Sequence, residues 1–361
     1  MNATASTKTL VCRAALGAIA LVAASAAQAQ STVQSAATSS VTLYGIIDMF
    51  VQYGKGDGTQ LAVQSGGVSG SRLGFKGSED LGGGLKAQFQ LESGILTDTG
   101  AQANASSFFT RQSWVGLSSS TWGSLSAGRQ TIPQYDILDA FDTFGTGVGS
   151  SASSSIVSTT SRANNSVKYS SPNLGGFSGV ALVGMGETAP TATNSGDNAN
   201  VYALGGTYTG GPFSAGLALN MFKRGTNAQV DARYVLATAS YDFGVAKLSG
   251  AVQKVRNLSG TDSVDRTEAM LGVNVPVTER NTVSAAVGQV TTSHQSSLNA
   301  RQWTLGATHV MSKRTSFYGV LSHIGNGAAT SYTTTAANGL GPITSAGKDV
   351  SSLQVGVRHA F

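Results

Sequence analysis

Few side chains in this sequence are equipped for chemistry, and those that are sit in alternating segments. Arg72 and Lys76 share one strand face, opposite Leu73 and Phe75. Over residues 86–95, Lys86, Gln88, Gln90 and Glu92 take one face, and Ala87, Phe89, Leu91 and Ile95 the other. Charges so placed can set up a field in water, but nothing beside them is built to break a bond. His294, His309, His323 and His359 lack metal-ligand spacing. Gly145, Gly147 and Gly149 imitate a dinucleotide loop without its strand–turn–helix context. No nucleophile–base pair stands out, and the acidic loop tips lack an EF-hand pattern. Neither a metal nor a cofactor is expected, and the chain does not read as an enzyme.

The elements that must carry these charges are strands. The last nine residues, LQVGVRHAF, put Leu353, Val355, Val357, His359 and Phe361 on one face and Gln354, Gly356, Arg358 and Ala360 on the other. Chain ends usually fray and are polar, so a terminal Phe361 must be covered by something apolar. The same period of two recurs in residues 213–221, 268–275 and 301–310. It fits a soluble sandwich as well as a membrane barrel; the leader described next, the lack of cysteine after it and the apolar C-terminus favour the barrel. Tight connections at residues 79–84, 119–123, 172–176, 210–211, 243–244, 276–280 and 312–314 alternate with longer ones at 54–70, 97–106, 132–161, 187–198, 224–229, 257–264, 294–298 and 326–349. Seven short turns and eight longer loops separate sixteen antiparallel strands, the pattern of a transmembrane β-barrel with short periplasmic turns. Tyr44, Phe75, Phe108, Trp114, Tyr169 and Phe177, with Tyr202, Tyr208, Phe213, Tyr241, Trp303 and Tyr318, are expected near strand ends or on outer faces, some of them as interface girdles.

Composition agrees. Only 11% of residues are charged, mean hydropathy is +0.02, and 46 glycines are scattered among small polar residues. Lys8 and Arg13, an apolar core over residues 16–24 and the Ala27-Gln28-Ala29 site read as a secretory signal at residues 1–29, leaving a barrel domain at 30–361. Cleavage after Ala37 is the alternative. The apolar run is too short to span a bilayer as a helix. Cys12 falls inside this leader, so the mature chain has no thiol or disulfide chemistry. Without Lys8 and Arg13 the charge balance is 21 basic against 18 acidic residues, with no basic run that would argue for nucleic acid.

Six stretches carry a resemblance. They are SSVTLYGIID (39–48), SRLGFKGSEDLGGGLKAQFQLESG (71–94), FFTRQSWVGLSSSTWGSLSAGRQ (108–130), RANNSVKYSSPNLGGFSG (162–179), MSKRTSFYGVLSH (311–323) and VGVRHAF (355–361). Together they span the mature chain, which resembles the general diffusion porins of beta-proteobacterial outer membranes. The resemblance implies a sixteen-stranded all-β barrel in the outer membrane, a homotrimer, and a third loop, residues 132–161, folded into the lumen. Two departures are a lead-in at residues 30–38 and an unusually serine-rich second half of that loop.

The resemblance also implies site residues. Arginines at the positions of Arg72, Arg111 and Arg162 line one wall of the constriction. Facing acids come from Glu92 and from the loop, where Asp136, Asp139 and Asp142 are the candidates, and Lys168 is a weaker inward one. Phe361 forms part of the signal read by the barrel-assembly machinery. A barrel this wide keeps an aqueous channel, and charges at its narrow point set selectivity. The implied function is passive, weakly anion-preferring diffusion of small hydrophilic solutes and ions through a channel set in outer-membrane lipid. A substrate-specific channel would need aromatic tracks along the lumen. A barrel enzyme would need a Ser/His or Asp/His site on the external rim, and none is visible.

Overall fold

The computed structural model describes residues 39–187, 199–224, 230–257, 265–334, 341–342 and 344–361. The leader, Cys12, the lead-in and parts of four expected loops lie outside the described residues. The strands are β1 (Ser40–Lys55), β2 (Thr59–Ser65), β3 (Arg72–Gly82), β4 (Leu85–Leu96), β5 (Ala101–Gln102), β6 (Gln112–Ser119), β7 (Gly123–Thr131), β8 (Arg162–Ser170) and β9 (Phe177–Gly184). They continue with β10 (Val201–Gly210), β11 (Phe213–Phe222), β12 (Ala232–Asp242), β13 (Lys247–Arg256), β14 (Arg266–Pro276), β15 (Asn281–Thr292), β16 (Ala300–Val310), β17 (Thr315–Asn326) and β18 (Val350–Ala360). Among the described residues one α-helix, α1 (Pro133–Phe141), lies between β7 and β8, and a single 3-10 turn (Ser296–Leu298) between β15 and β16.

Neighbours pair antiparallel all the way round, and β1 closes on β18. Both β2 and β3 pair with β1, at Met49–Lys55 and at Ser40–Ile46, so they are two lengths of one stave. The two-residue β5 only extends β4 within a loop. The result is a closed barrel of sixteen staves. Closure satisfies the backbone of every stave, which is what lets β-structure cross a membrane. At the seam, Gly45 N–H donates to the Phe361 carbonyl and Phe361 N–H to the Gly45 carbonyl, each at 3.1 Å. The Phe361 ring lies over Gly45 on the outer face, in space a side chain there would fill.

The burial pattern is inverted from that of a soluble protein. Gln52, Gln253, Glu268 and Gln354 are fully buried, while Val41, Leu61, Val63 and Leu204 are more than half exposed. Outward apolar positions of this kind need lipid, and the inward polar ones need water or each other. Tyr169, Phe177, Phe213, Tyr241 and Phe243 gather outward at the short-turn end. Three aromatics expected at strand ends or outer faces turn inward instead. Tyr44 bonds Glu92, Tyr318 bonds Asp48, and Trp114 lines an inner pocket. In β1 the buried Asp48 and Gln52 share Tyr44's parity, which fixes its side of the wall.

Residues 54–70, expected as a long external loop, are largely strand. The Gly56-Asp57-Gly58 turn joins β1 directly to β2, and Leu61 and Val63 continue the apolar outer face. The real excursion is residues 66–71, held against β1. Gly66 N–H donates to the Asp48 carbonyl at 2.7 Å and Ser69 N–H to the Asp48 carboxylate at 2.9 Å.

Candidate functional site

The loop between β7 and β8 lies inside the barrel, and its sequence explains how it stays there. Pro133 starts α1 at a position where its missing N–H costs nothing. Ile132 N–H donates to the Ser161 carbonyl, 3.1 Å away, and so closes the loop's neck. Gln134, Ile137, Leu138 and Phe141 form the buried stripe of the helix. Ile137, Leu138 and Phe141 pack on Ala218, Leu236, Ala251 and Met270 of the wall. Wall glycines make the seat: a Cβ on Gly216 would stand 2.7 Å from Ile137, and one on Gly205 2.8 Å from Pro133. Gly272 and Gly306 likewise leave room for Thr143 and Phe144.

Polar side chains clasp both limbs of the loop. Glu268 accepts Ser158 N–H and Ser158 Oγ–H, each at 2.8 Å, and Gln253 Nε2 at 2.8 Å. Gln134 Nε2 donates to the Ser158 carbonyl at 2.9 Å, and its Oε1 accepts from Asn220 at 3.0 Å. Farther on, the Gly149 carbonyl accepts from Gln302 and Thr304 of β16, at 2.9 and 2.8 Å. Buried groups of this kind are costly unless paired, so the clasp fixes one loop position.

The loop covers β9 to β17 and touches β1, where Val148 packs on Phe50, while most of the arc from β18 through β1 and β3 to β8 stays open. Between loop edge and bare wall lies a cavity of about 870 Å³. Arg72, Arg111, Arg162 and Arg358 line it from the wall, and Asp136 and Asp139 from the loop. Glu92 sits among the arginines rather than across from them. Its Oε1 lies 2.6 Å from Arg111 Nε and 4.0 Å from Arg72 Nη1. Tyr44 donates to its Oε2 at 2.8 Å. That reach crosses Gly74, the shared strand partner of Tyr44 and Glu92, where a side chain would strike the tyrosine ring.

The arginines are held rigidly by backbone. Arg72 Nε donates to the Gly70 carbonyl at 2.8 Å, and Arg162 Nε to the Arg111 carbonyl at 2.6 Å. The Arg162 guanidinium lies 5.8 Å from the centre of the Tyr135 ring. Asp136 is taken up by Lys168 at 3.0 Å and by Thr131 Oγ–H at 2.9 Å. Asp139 and Arg358 make no ion pair among the described residues.

Asp142 does not line the cavity. It is buried inside its own loop, accepting Phe144 N–H and Ser151 N–H at 2.9 Å each. Burial pushes its carboxyl up to about 7, against the pull of those N–H groups. The expectation that Asp142 faces the arginines, and that Glu92 opposes them, is therefore corrected. Helix periodicity separates the acids: Asp136 and Asp139 lie off the buried stripe, and Asp142 follows the last turn, where the loop folds back. Arg358 and Tyr135 were not singled out from sequence, although Arg358 stood on the polar face of the last strand. Below the cavity, Trp114 with Gln88, Gln90, Gln112 and Lys168 lines a pocket of about 230 Å³. Among the described residues no group of three or more His, Cys, Asp or Glu side chains is placed to hold a metal.

Comparison with known proteins agrees with this geometry. A family model described as Gram-negative porin matches residues 15–329. Outer membrane porin protein 32 of Delftia acidovorans is 37% identical over 349 residues, covering 90% of this chain and 95% of that one. An outer membrane porin protein of Bordetella pertussis is 30% identical over 348 residues, covering 80% of this chain and 90% of that one. Among solved structures, the anion-selective porin from Comamonas acidovorans superposes with a TM-score of 0.80 at 35% identity, covering 90% of this chain and all of that one. OmpT of Vibrio cholerae in its trimer form gives 0.68 at 17% identity over 90% of this chain and 99% of that one, a likeness of fold alone.

Proposed function

Since the chain belongs to the Gram-negative porin family, we propose that its channel prefers anions because the constriction carries unbalanced positive charge. The protein is an outer-membrane porin, a channel and not an enzyme. One observation carries the selectivity reading. Glu92 is spent on Arg72 and Arg111, Asp136 on Lys168, and Asp48, the cross-strand partner of Arg358, on Ser69 N–H and Tyr318. Among the described residues lining the cavity, Asp139 is then the one carboxylate without an ion pair to face Arg162 and Arg358. Like charges lining a water-filled constriction focus potential and raise the local concentration of counter-ions. The likeness to a solved porin described as anion-selective supports the same sign. Small hydrophilic solutes and ions pass by diffusion.

The working unit is a homotrimer in this proposal, supported by the family and by the trimeric relative of the same fold. Residues 1–29 serve as the leader removed on export, and the barrel domain begins at Gln30. Phe361 acts as part of the signal read by the barrel-assembly machinery, as well as covering Gly45 at the seam. Deleting Phe361 lowers outer-membrane levels while leaving the conductance of assembled channels unchanged; normal levels in the deletion would remove this role.

The selectivity test is the triple variant Arg72→Gln, Arg111→Gln and Arg162→Gln in planar bilayers under a salt gradient. Lumen substitutions tune selectivity without the penalty of charges on the lipid face, so the barrel forms. The reversal potential moves toward cations at low salt. A folded, conducting triple variant with an unchanged reversal potential would place the selecting charges elsewhere.

A further inference from the structure

The lipid-facing wall carries a feature that the channel does not use. On the outer face of β12 and β13, Arg233 and Arg256 are direct cross-strand partners. Like charges in that relation repel. Lys254, two residues from Arg256 on the same face, adds a third cation. Among the described residues the one carboxylate within ion-pair distance of the three is Asp265, at 3.9 Å from Lys254 and 3.6 Å from Arg256. Arg233 and Arg256 are exposed. Both stand at the long-loop end of their strands, the height at which outer-leaflet headgroups lie. Charges on a barrel's outer face cost little at that height and several kcal/mol deeper in.

One row below the pair stand Val235 and Lys254, and below that row the outer wall thins. There Ala237, Ala239, Gly250 and Ala269 of β12, β13 and β14 leave low ground between the outward Val252 and Leu271. They floor an outer trough of about 1230 Å³, walled by Tyr241 and Leu248 below and by Trp303 to one side. From Arg233 and Arg256 to Ala239 and Gly250 the strands run roughly 20 Å along their length, about 15 Å of depth at a tilt of about 40°. That reaches from the headgroups into the hydrocarbon of one leaflet.

We infer that the Arg233–Arg256 pair and the trough beneath it form a binding site for one phosphate-bearing lipid of the outer leaflet. The phosphate lies between the two guanidiniums and an acyl chain fills the trough. Paired arginines recognise phosphate with parallel N–H donors, and the anion removes the repulsion that the bare pair suffers. The small residues give the chain a bed that bulkier side chains would close. The lipid is required by the charge excess and the hollow together, since either alone fits a free ion or bulk lipid. This site is independent of the constriction and of its selectivity.

The test uses the full porin in phosphatidylcholine nanodiscs containing a trace of spin-labelled phosphatidic acid. In the wild type a motionally restricted component reports lipid held at the wall. The double variant Arg233→Gln with Arg256→Gln folds, because it only removes outer-face charge, and it binds the probe about thirty-fold more weakly. Ala239→Leu, which leaves every charge in place, also weakens binding by crowding the chain. Equal binding by wild type and double variant would overturn the site. Displacement of the probe by inorganic phosphate as readily as by unlabelled phosphatidic acid would reduce it to an anion contact, against the proposal. Loss of the oligomer in the double variant, with probe binding intact, would make the band a contact between protomers and would also overturn it.

Discussion

Replacing Glu92 with glutamine separates the electrostatic account from a purely steric one. The substitution keeps the size of the side chain and an acceptor for Tyr44 or Arg111, but removes the charge that occupies Arg72 and Arg111. An ion passing about 8 Å from that carboxylate feels about 0.5 kcal/mol of it at the dielectric of water. Screening over one Debye length at physiological salt leaves about 0.2 kcal/mol, and at about 0.01 M close to 0.4 kcal/mol remains. The energy has opposite sign for anion and cation, so their permeability ratio changes by twice as much. The shift toward anions is then about twofold at physiological salt and about fourfold at about 0.01 M. At about 1 M, where the Debye length is about 3 Å, it vanishes. The assay is the reversal potential of reconstituted channels at fixed gradients and three mean concentrations. No shift at low salt, or a shift toward cations, would refute the reasoning. A shift that survives at the highest salt would mean that the pore changed shape instead.

Two further outcomes concern the inward loop. Glu268→Ala removes the acceptor for Ser158 N–H, Ser158 Oγ–H and Gln253. Each donor left buried and unpaired costs about 1–3 kcal/mol; the expected result is a lower melting temperature in detergent and noisier single-channel current, and an unchanged noise spectrum would contradict the clasp. For Asp142, the folded carboxyl is raised to about 7 by burial, so its contribution to loop stability is full below the ordinary carboxylate range and is lost as pH rises through about 7. Amides of residues 142–151 should therefore show higher hydrogen-exchange protection, corrected for the intrinsic rate, at about pH 5 than at about pH 8. Asp142→Asn should flatten that dependence; an equal pH dependence in the variant would assign it to another group.

Strand parity made much of this legible. It put Arg72, Lys76 and Glu92 on the water side and Phe361 on the lipid side without any coordinates. Parity is local, however, and says nothing of which strands stand side by side. Glu92 lies beside Arg72 because Gly74 pairs with Glu92 while Arg72 pairs with Gly94, a register that only the assembled sheet reveals. The seat for the loop was equally hidden. Gly205 and Gly216 read as ordinary strand glycines until the helix against them is known. Some signals were present and went unread. The spacing of Gln134, Ile137, Leu138 and Phe141 is that of a helix with one buried stripe, and it keeps Asp136 and Asp139 off that stripe. Tyr44 and Tyr318 share parity with inward neighbours, so their hydroxyls belong to buried carboxylates rather than to a membrane boundary.

The seam between Gly45 and Phe361 has a consequence in time. The first stave finds its last partner only when β18 and Phe361 have arrived, more than 300 residues later in the sequence. Contacts of such separation form slowly, and until they form, β1 and β17 each present a bare row of backbone groups that lipid cannot satisfy. A chain halted one stave short therefore gains no partial barrel and no partial stability in the bilayer. It stays an open sheet, dependent on whatever shields its two edges, and insertion of this fold is an event that waits for its last stave.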